Sequence, residues 1–224
     1  MIDSDMIMVE TQPACDAVVI WMHGLGADGS DFPPTIPYLK LPKELAVRFL
    51  FPNAPEQAVT INGGMVMRSW YDILSMNIGR EISEAQLQTS VDDISGIVAQ
   101  QIESGIAPER ILLVGFSQGG AVAYETGLSY PANLGGVAAM STYLPRPIEQ
   151  VKSLASQSMP LLSLHGEYDD VVPLALGESA VMQLKQKGYQ PDWQTFKMAH
   201  EVSVESLAVL GRWITQRLSN KGSL

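Results

Sequence analysis

Cysteine, histidine and basic residues are scarce in this 224-residue chain, and each shortage removes a class of function. The single Cys15 cannot close an intrachain disulfide and has no partners at zinc-site or redox spacing, so the chain fits a reducing compartment. Lysine and arginine total 14 against 24 aspartates and glutamates, giving a formal net charge of -10. A nucleic-acid backbone would meet broad repulsion, so nucleic acid is not an expected partner. Long apolar runs are missing too. Stretches such as Ala17 to Trp21 and Leu134 to Met140 fall short of the roughly 18 apolar residues that span a bilayer, and no transmembrane segment is expected. The first residues carry Asp3 and Asp5 rather than the basic region and apolar stretch of a secretory signal, so the expected location is cytoplasmic. His23, His165 and His200 fall in separate loops without H-x-x-x-H spacing, and no glycine stretch has a phosphate-loop or dinucleotide pattern. Neither a metal nor a nucleotide is expected.

What the chain does have is enough apolar material, 46% of residues, for one sizeable core. Short apolar runs alternate with longer amphipathic ones, the pattern of a single α/β domain over 1–224 with a mostly parallel central sheet flanked by helices on both faces. Strands are predicted at Ala17 to Met22, Val47 to Phe51, Ile111 to Val114, Gly135 to Ser141, Pro160 to Leu164 and Trp193 to Met198. Ser83 and Gln86 form a capping box, after which Leu87, Val91, Ile94, Val98 and Ile102 recur at helical spacing until Gly105 and Pro108. Further helices are predicted from Gln118 toward Pro131, from Leu174 to Lys187, and at the C-terminal end with Val204, Leu207, Gly211, Ile214 and Leu218 on one face. Residues 1–14 read as an N-terminal segment. Residues 52–82 show little periodicity but are too apolar for disorder, so they read as a long functional loop.

The run Ile111 to Val114 leads into Gly115-Phe116-Ser117-Gln118-Gly119, followed by the helix-forming Ala121 to Tyr124. Strand, sharp turn and helix is the setting of a nucleophilic serine, because the turn lifts the hydroxyl off the strand end. Chance alone gives some G-x-S-x-G in roughly one chain of this length in ten, so its partners must carry the reading. A serine nucleophile needs an imidazole to take its proton and a carboxylate to orient that imidazole. With the chain order nucleophile, acid, base, only His165 and His200 follow Ser117, and only His200 leaves room for an acid between. On this reading His23 packs under its own loop and His165 is structural. The acid belongs to the loop after Leu161 to Leu164, where Glu167 is limited in reach and Asp169 and Asp170 compete evenly. Backbone amides must receive the oxyanion: Gln118 supplies one at a helix start, and Leu25, in His23-Gly24-Leu25-Gly26, supplies the other.

Taken together, His23-Gly24-Leu25-Gly26-Ala27-Asp28, Gly115-Phe116-Ser117-Gln118-Gly119-Gly120, and His165-Gly166 with Asp169 and Val172-Pro173 resemble the carboxylesterase and acyl-protein thioesterase family of α/β hydrolases across nearly the whole chain. Thr60 to Gly64 and Ser69 to Ile73 look most like its bacterial carboxylesterase branch. The resemblance implies an α/β-hydrolase fold and selects Asp169 as the acid through the pattern H-G-x-x-D-x-x-V-P. It implies that the 52–82 region lines an acyl pocket, with Trp70, Tyr71, Ile73, Leu74 and Val172 contacting substrate; for Trp70 and Tyr71, ordinary core packing competes with that role. Relatives commonly carry glycine where this chain has Ala199 before His200, and alanine disfavours a positive φ there. The implied activity is cofactor-free hydrolysis, through an acyl-enzyme, of short to medium acyl esters, lysophospholipids or the thioester of S-acylated proteins. A homodimer is compatible with the family. Rival readings are a lysophospholipase or acyltransferase on the same residues, and a non-catalytic binding protein of the same fold.

Overall fold

The computed structural model describes residues 6–75, 81–152 and 154–219. In chain order its elements are β1 (Ile7–Glu10), β2 (Ala17–Met22), β3 (Val47–Phe51), β4 (Glu56–Val59), β5 (Met65–Arg68), β6 (Ile73–Ser75), β7 (Glu81–Ile82) and α1 (Glu84–Glu103). There follow β8 (Ile111–Phe116), α2 (Gln118–Ser129), β9 (Gly136–Met140), β10 (Leu161–Gly166), α3 (Leu174–Gln186), β11 (Asp192–Phe196) and α4 (Val204–Ser219).

Seven strands make the central sheet in the order β1-β3-β2-β8-β9-β10-β11. All neighbours are parallel except β1, which runs antiparallel to β3 at the edge. Parallel strands covered on both faces must be apolar at every position, and β2 is buried along its whole length. Its alternation splits the core in two. Val18, Ile20 and Met22 join Leu87, Val91, Ile94 and Val98 of α1 and Ala121 to Tyr124 of α2 on one face. Ala17, Val19 and Trp21 join Leu207, Leu210 and Ile214 of α4 on the other.

Two expectations change. Residues 52–82 are not a structureless loop: β4 pairs antiparallel with β5, and β6 with β7. These strands are short and largely exposed, so burial imposes no alternation that a sequence pattern could register. The N-terminal segment contributes β1, whose Ile7 and Val9 pack against the α4-side core. The capping box at Ser83 forms by half. Ser83 Oγ accepts the Gln86 amide at 3.5 Å, but the Gln86 side chain reaches across to accept the Asp72 amide at 2.6 Å. The helix start is thereby tied to the segment that enters β6.

Candidate active site

The carboxyl ends of β2, β8, β10 and β11 converge, the edge at which open α/β sheets place ligand sites. Ser117 follows β8 at φ 55, ψ -120, a conformation that strains a residue with a Cβ. Its surroundings hold it there. The Ser117 amide donates to the Met140 carbonyl at 2.9 Å, and the Ser117 carbonyl accepts the Thr142 hydroxyl at 2.6 Å and the Gly120 amide at 3.0 Å. The flanking glycines are required by contact distance. A Cβ on Gly115 would collide with the Gly119 carbonyl oxygen, and one on Gly119 would lie 2.5 Å from the carbonyl oxygens of Met22 and His23.

His200 lies on the loop between β11 and α4, with its Nε2 2.9 Å from Ser117 Oγ and its Nδ1 2.8 Å from Asp169 Oδ2. Nδ1 donates to the carboxylate, which leaves Nε2 free to accept the serine proton. Asp169 is buried, and its second oxygen, Oδ1, accepts the amides of Val171 at 3.0 Å and Val172 at 2.7 Å. Burial pushes the Asp169 carboxyl up, but the hydrogen bonds from His200 and the Val172 amide outweigh it and leave the group below its ordinary value. Asp170, by contrast, is exposed. Ala199 is not among the residues with positive φ, so alanine sits there without the strain that its replacement of glycine raised.

The other histidines brace the loops that carry these groups. His165 Nε2 donates to the Val172 carbonyl at 2.8 Å and lies 3.6 Å from Asp169 Oδ2. His23 Nε2 accepts the Ala54 amide at 3.0 Å while Nδ1 donates to the Gly24 carbonyl at 2.7 Å. Burial lowers the pKa of both, so both imidazoles are held neutral.

The turn after β2 is fixed from three directions: by His23, by the Trp70 indole donating to the His23 carbonyl at 2.9 Å, and by the Gly26 amide donating to Arg68 at 2.9 Å. Among the described residues, the amides of Leu25 and Gln118 have no hydrogen-bond acceptor. Both residues border a cleft of about 220 Å³ that also holds Ser117 and His200. Two free donors beside a hydroxyl that faces an imidazole are an arrangement able to receive an oxyanion. The Gln118 side chain has a separate task. Its Oε1 accepts the Trp70 amide at 2.8 Å, and its Nε2 donates to the Tyr71 carbonyl at 2.7 Å and to Ser69 Oγ at 3.1 Å, clasping 69–71 to the start of α2.

The expected acyl-pocket residues divide. Ile73 lines the cleft. Trp70, Tyr71 and Val172 do not: each is 1% exposed or less and sits behind the wall. Trp70 braces the turn after β2, and Tyr71 shares a 2.8 Å hydrogen bond with the hydroxyl of Tyr143. Leu74, 41% exposed, faces solvent. Asp31, Ile61, Phe116, Tyr143 and Val171 line the cleft although the sequence reading missed them. The signal for Tyr143 was its place just beyond the carboxyl end of β9. Among the described residues, no group of three or more His, Cys, Asp or Glu could hold a metal ion, and no helix is long and apolar enough to cross a membrane.

Comparison with known proteins adds ancestry to this geometry. Residues 4–218 match the phospholipase/carboxylesterase family of α/β hydrolases. Acyl-protein thioesterase 1 of Saccharomyces cerevisiae is 35% identical, with 96% of this chain and 98% of that protein covered. Acyl-protein thioesterase 1 homolog 1 of Dictyostelium discoideum is 36% identical, with 90% of this chain and 91% of that protein covered. The crystal structure of SOBER1 from Arabidopsis thaliana, also named a carboxylesterase, superposes with a TM-score of 0.85 at 32% identity, covering 90% of this chain and 99% of that one. The match over residues 4–218 and the 35–36% identity to relatives across nine-tenths or more of both chains point the same way: the chain belongs to the phospholipase/carboxylesterase family.

Proposed function

We propose that the protein is a serine hydrolase that cleaves carboxylic esters or thioesters through an acyl-enzyme. The observation that carries this is the unbroken chain from Asp169 through His200 to Ser117, with contacts of 2.8 Å and 2.9 Å. Ser117 Oγ attacks the acyl carbonyl as His200 Nε2 takes its proton. Asp169 stabilises the imidazolium that forms, and the Leu25 and Gln118 amides receive the oxyanion. Collapse of the tetrahedral intermediate expels the alcohol or thiol, which leaves with the proton from His200. Water activated by the same imidazole then releases the acid and restores Ser117.

The cleft of about 220 Å³ lies below the roughly 300–1,000 Å³ of pockets that hold drug-sized ligands, which favours a short acyl group. An S-acylated protein is a candidate donor, as the names of the thioesterase relatives indicate. Ser117→Ala should abolish p-nitrophenyl butyrate turnover while the unfolding midpoint is kept, and a fluorophosphonate probe should label Ser117 in the native protein alone. Retained turnover in the variant rules the reading out. An unlabelled Ser117 would favour a non-catalytic binding role.

A further inference from the structure

Among the described residues lining the reactive cleft, Asp31 alone has an acidic side chain. Its neighbour Asp28 is spoken for: Asp28 Oδ1 accepts the amide of Ser30 at 2.7 Å and its hydroxyl at 2.6 Å, and the Arg68 charge also favours its ionised form. Asp31 has no such partner. Asp31 is exposed at the mouth of the cleft, among the described residues no cation or hydrogen-bond donor meets its carboxylate, and the neighbouring protein that shields it in part, followed by the nearby charge of Asp28, raises its pKa. The turn that presents it is held in place by the Gly29 amide donating to Asn53 Oδ1 at 2.7 Å and by buried Phe32 stacked on Trp21 with ring centroids 4.8 Å apart.

The side of the cleft matters as much as the charge. Phe32, next to Asp31, meets Phe116 at 6.0 Å between ring centroids, and Phe116 meets His200 at 4.8 Å. Phe32 and Phe116 pack with the α4-side core, whereas Ile73 and Ile61 belong to the core on the opposite face of the sheet. Through its neighbour Phe32, the backbone at Asp31 is therefore held on the His200 side of the cleft. That is where the leaving group departs: the C–O or C–S bond breaks with its electron pair passing to oxygen or sulfur, which takes the proton held at His200 Nε2.

We propose that Asp31 selects esters and thioesters whose leaving group carries a positive charge, such as an ammonium close to the scissile bond. This rests on the hydrolase reading of Ser117. For an assumed separation of about 7 Å between the ammonium and the carboxylate and an effective dielectric of about 40, the attraction favours the cationic substrate about five- to tenfold. The test compares choline butyrate with 3,3-dimethylbutyl butyrate, which has the same shape without the charge, in the wild type, Asp31→Asn and Asp31→Lys. The ratio of kcat/KM for the cationic over the neutral ester should fall about five- to tenfold in Asp31→Asn and further in Asp31→Lys. In the wild type it should shrink as salt rises to about 0.5 M. A ratio in Asp31→Asn within about twofold of wild type, with both esters turned over, overturns this inference and leaves the hydrolase reading intact. No turnover of either ester together with an unlabelled Ser117 overturns both.

Discussion

Replacing Asp169 with asparagine changes a single atom, and the surroundings dictate which way the new amide faces. Oδ1 accepts two backbone amides, from Val171 and Val172, while Oδ2 receives Nδ1–H of His200. If the asparagine NH₂ pointed at the two backbone donors, both would lose their acceptor in a buried site, at about 1–3 kcal/mol each. The amide oxygen therefore stays on Val171 and Val172, and the NH₂ faces His200. An NH₂ cannot accept, so Nδ1 must become the acceptor and the ring proton moves to Nε2. His200 then donates to Ser117 and has no lone pair for its proton. The expected loss in kcat for p-nitrophenyl butyrate is about 10³- to 10⁴-fold, or about 4–5.5 kcal/mol of barrier, the size seen when a triad histidine is trapped in the wrong tautomer. Exposed Asp170→Asn, assayed beside it, should stay within about twofold of wild type. Thermal unfolding of both variants checks that the fold persists. A loss of only about tenfold in Asp169→Asn, or equal losses in the two variants, would refute the assignment.

The strained serine makes a second prediction: at φ 55, ψ -120 glycine is at ease where alanine is not. Inactive Ser117→Gly should unfold at a higher temperature than inactive Ser117→Ala, by the equivalent of about 0.5–2 kcal/mol; the reverse order in calorimetry would mean that no strain is stored there. Acidification gives a third. Burial lowers the pKa of His23 and His165 below the ordinary 6.5, so below about pH 6.5 the unfolded chain takes up protons that the native state refuses. The stability is therefore complete above that pH and is lost as pH falls toward the folded values, with a limiting slope of about 2.7 kcal/mol per pH unit for two groups. Urea midpoints that stay flat from pH 7 to 5.5 would contradict it.

How far the sequence discloses this molecule depends on how strongly each residue is constrained by periodicity. The sheet and the long helices are legible because burial on both faces forces apolar runs such as Ala17 to Met22 and helical repeats such as Leu87 to Val98. The serine, the histidine and the turn after β2 could be singled out because chain order and the spacing of glycines leave few alternatives, and the structure brings all three to one cleft. Asp169 and Asp170 are adjacent in one loop, and the residue pattern could not separate them without the family resemblance. The cleft wall is the hardest part. Trp70 and Tyr71 look like pocket aromatics but are anchored inward by hydrogen bonds to His23 and Tyr143, contacts across more than forty residues of chain that no local pattern encodes. Asp31 reaches the cleft through tertiary packing alone.

The clasp formed by Gln118 ties two properties that could otherwise vary separately. Its backbone amide has no acceptor at the cleft, where the proposed mechanism puts the reacting carbonyl, while its side chain grips the Ser69 to Tyr71 backbone just ahead of Ile73 on the cleft wall. Shifting that backbone to admit a bulkier acyl chain would pull on the proposed oxyanion donor, so size preference and rate would change together. Exchanging the side chains of Ile61 or Ile73 alters the space without touching the clasp. Divergence of substrate choice on this scaffold, natural or engineered, is thus channelled into side-chain volume at the wall rather than into backbone rearrangement.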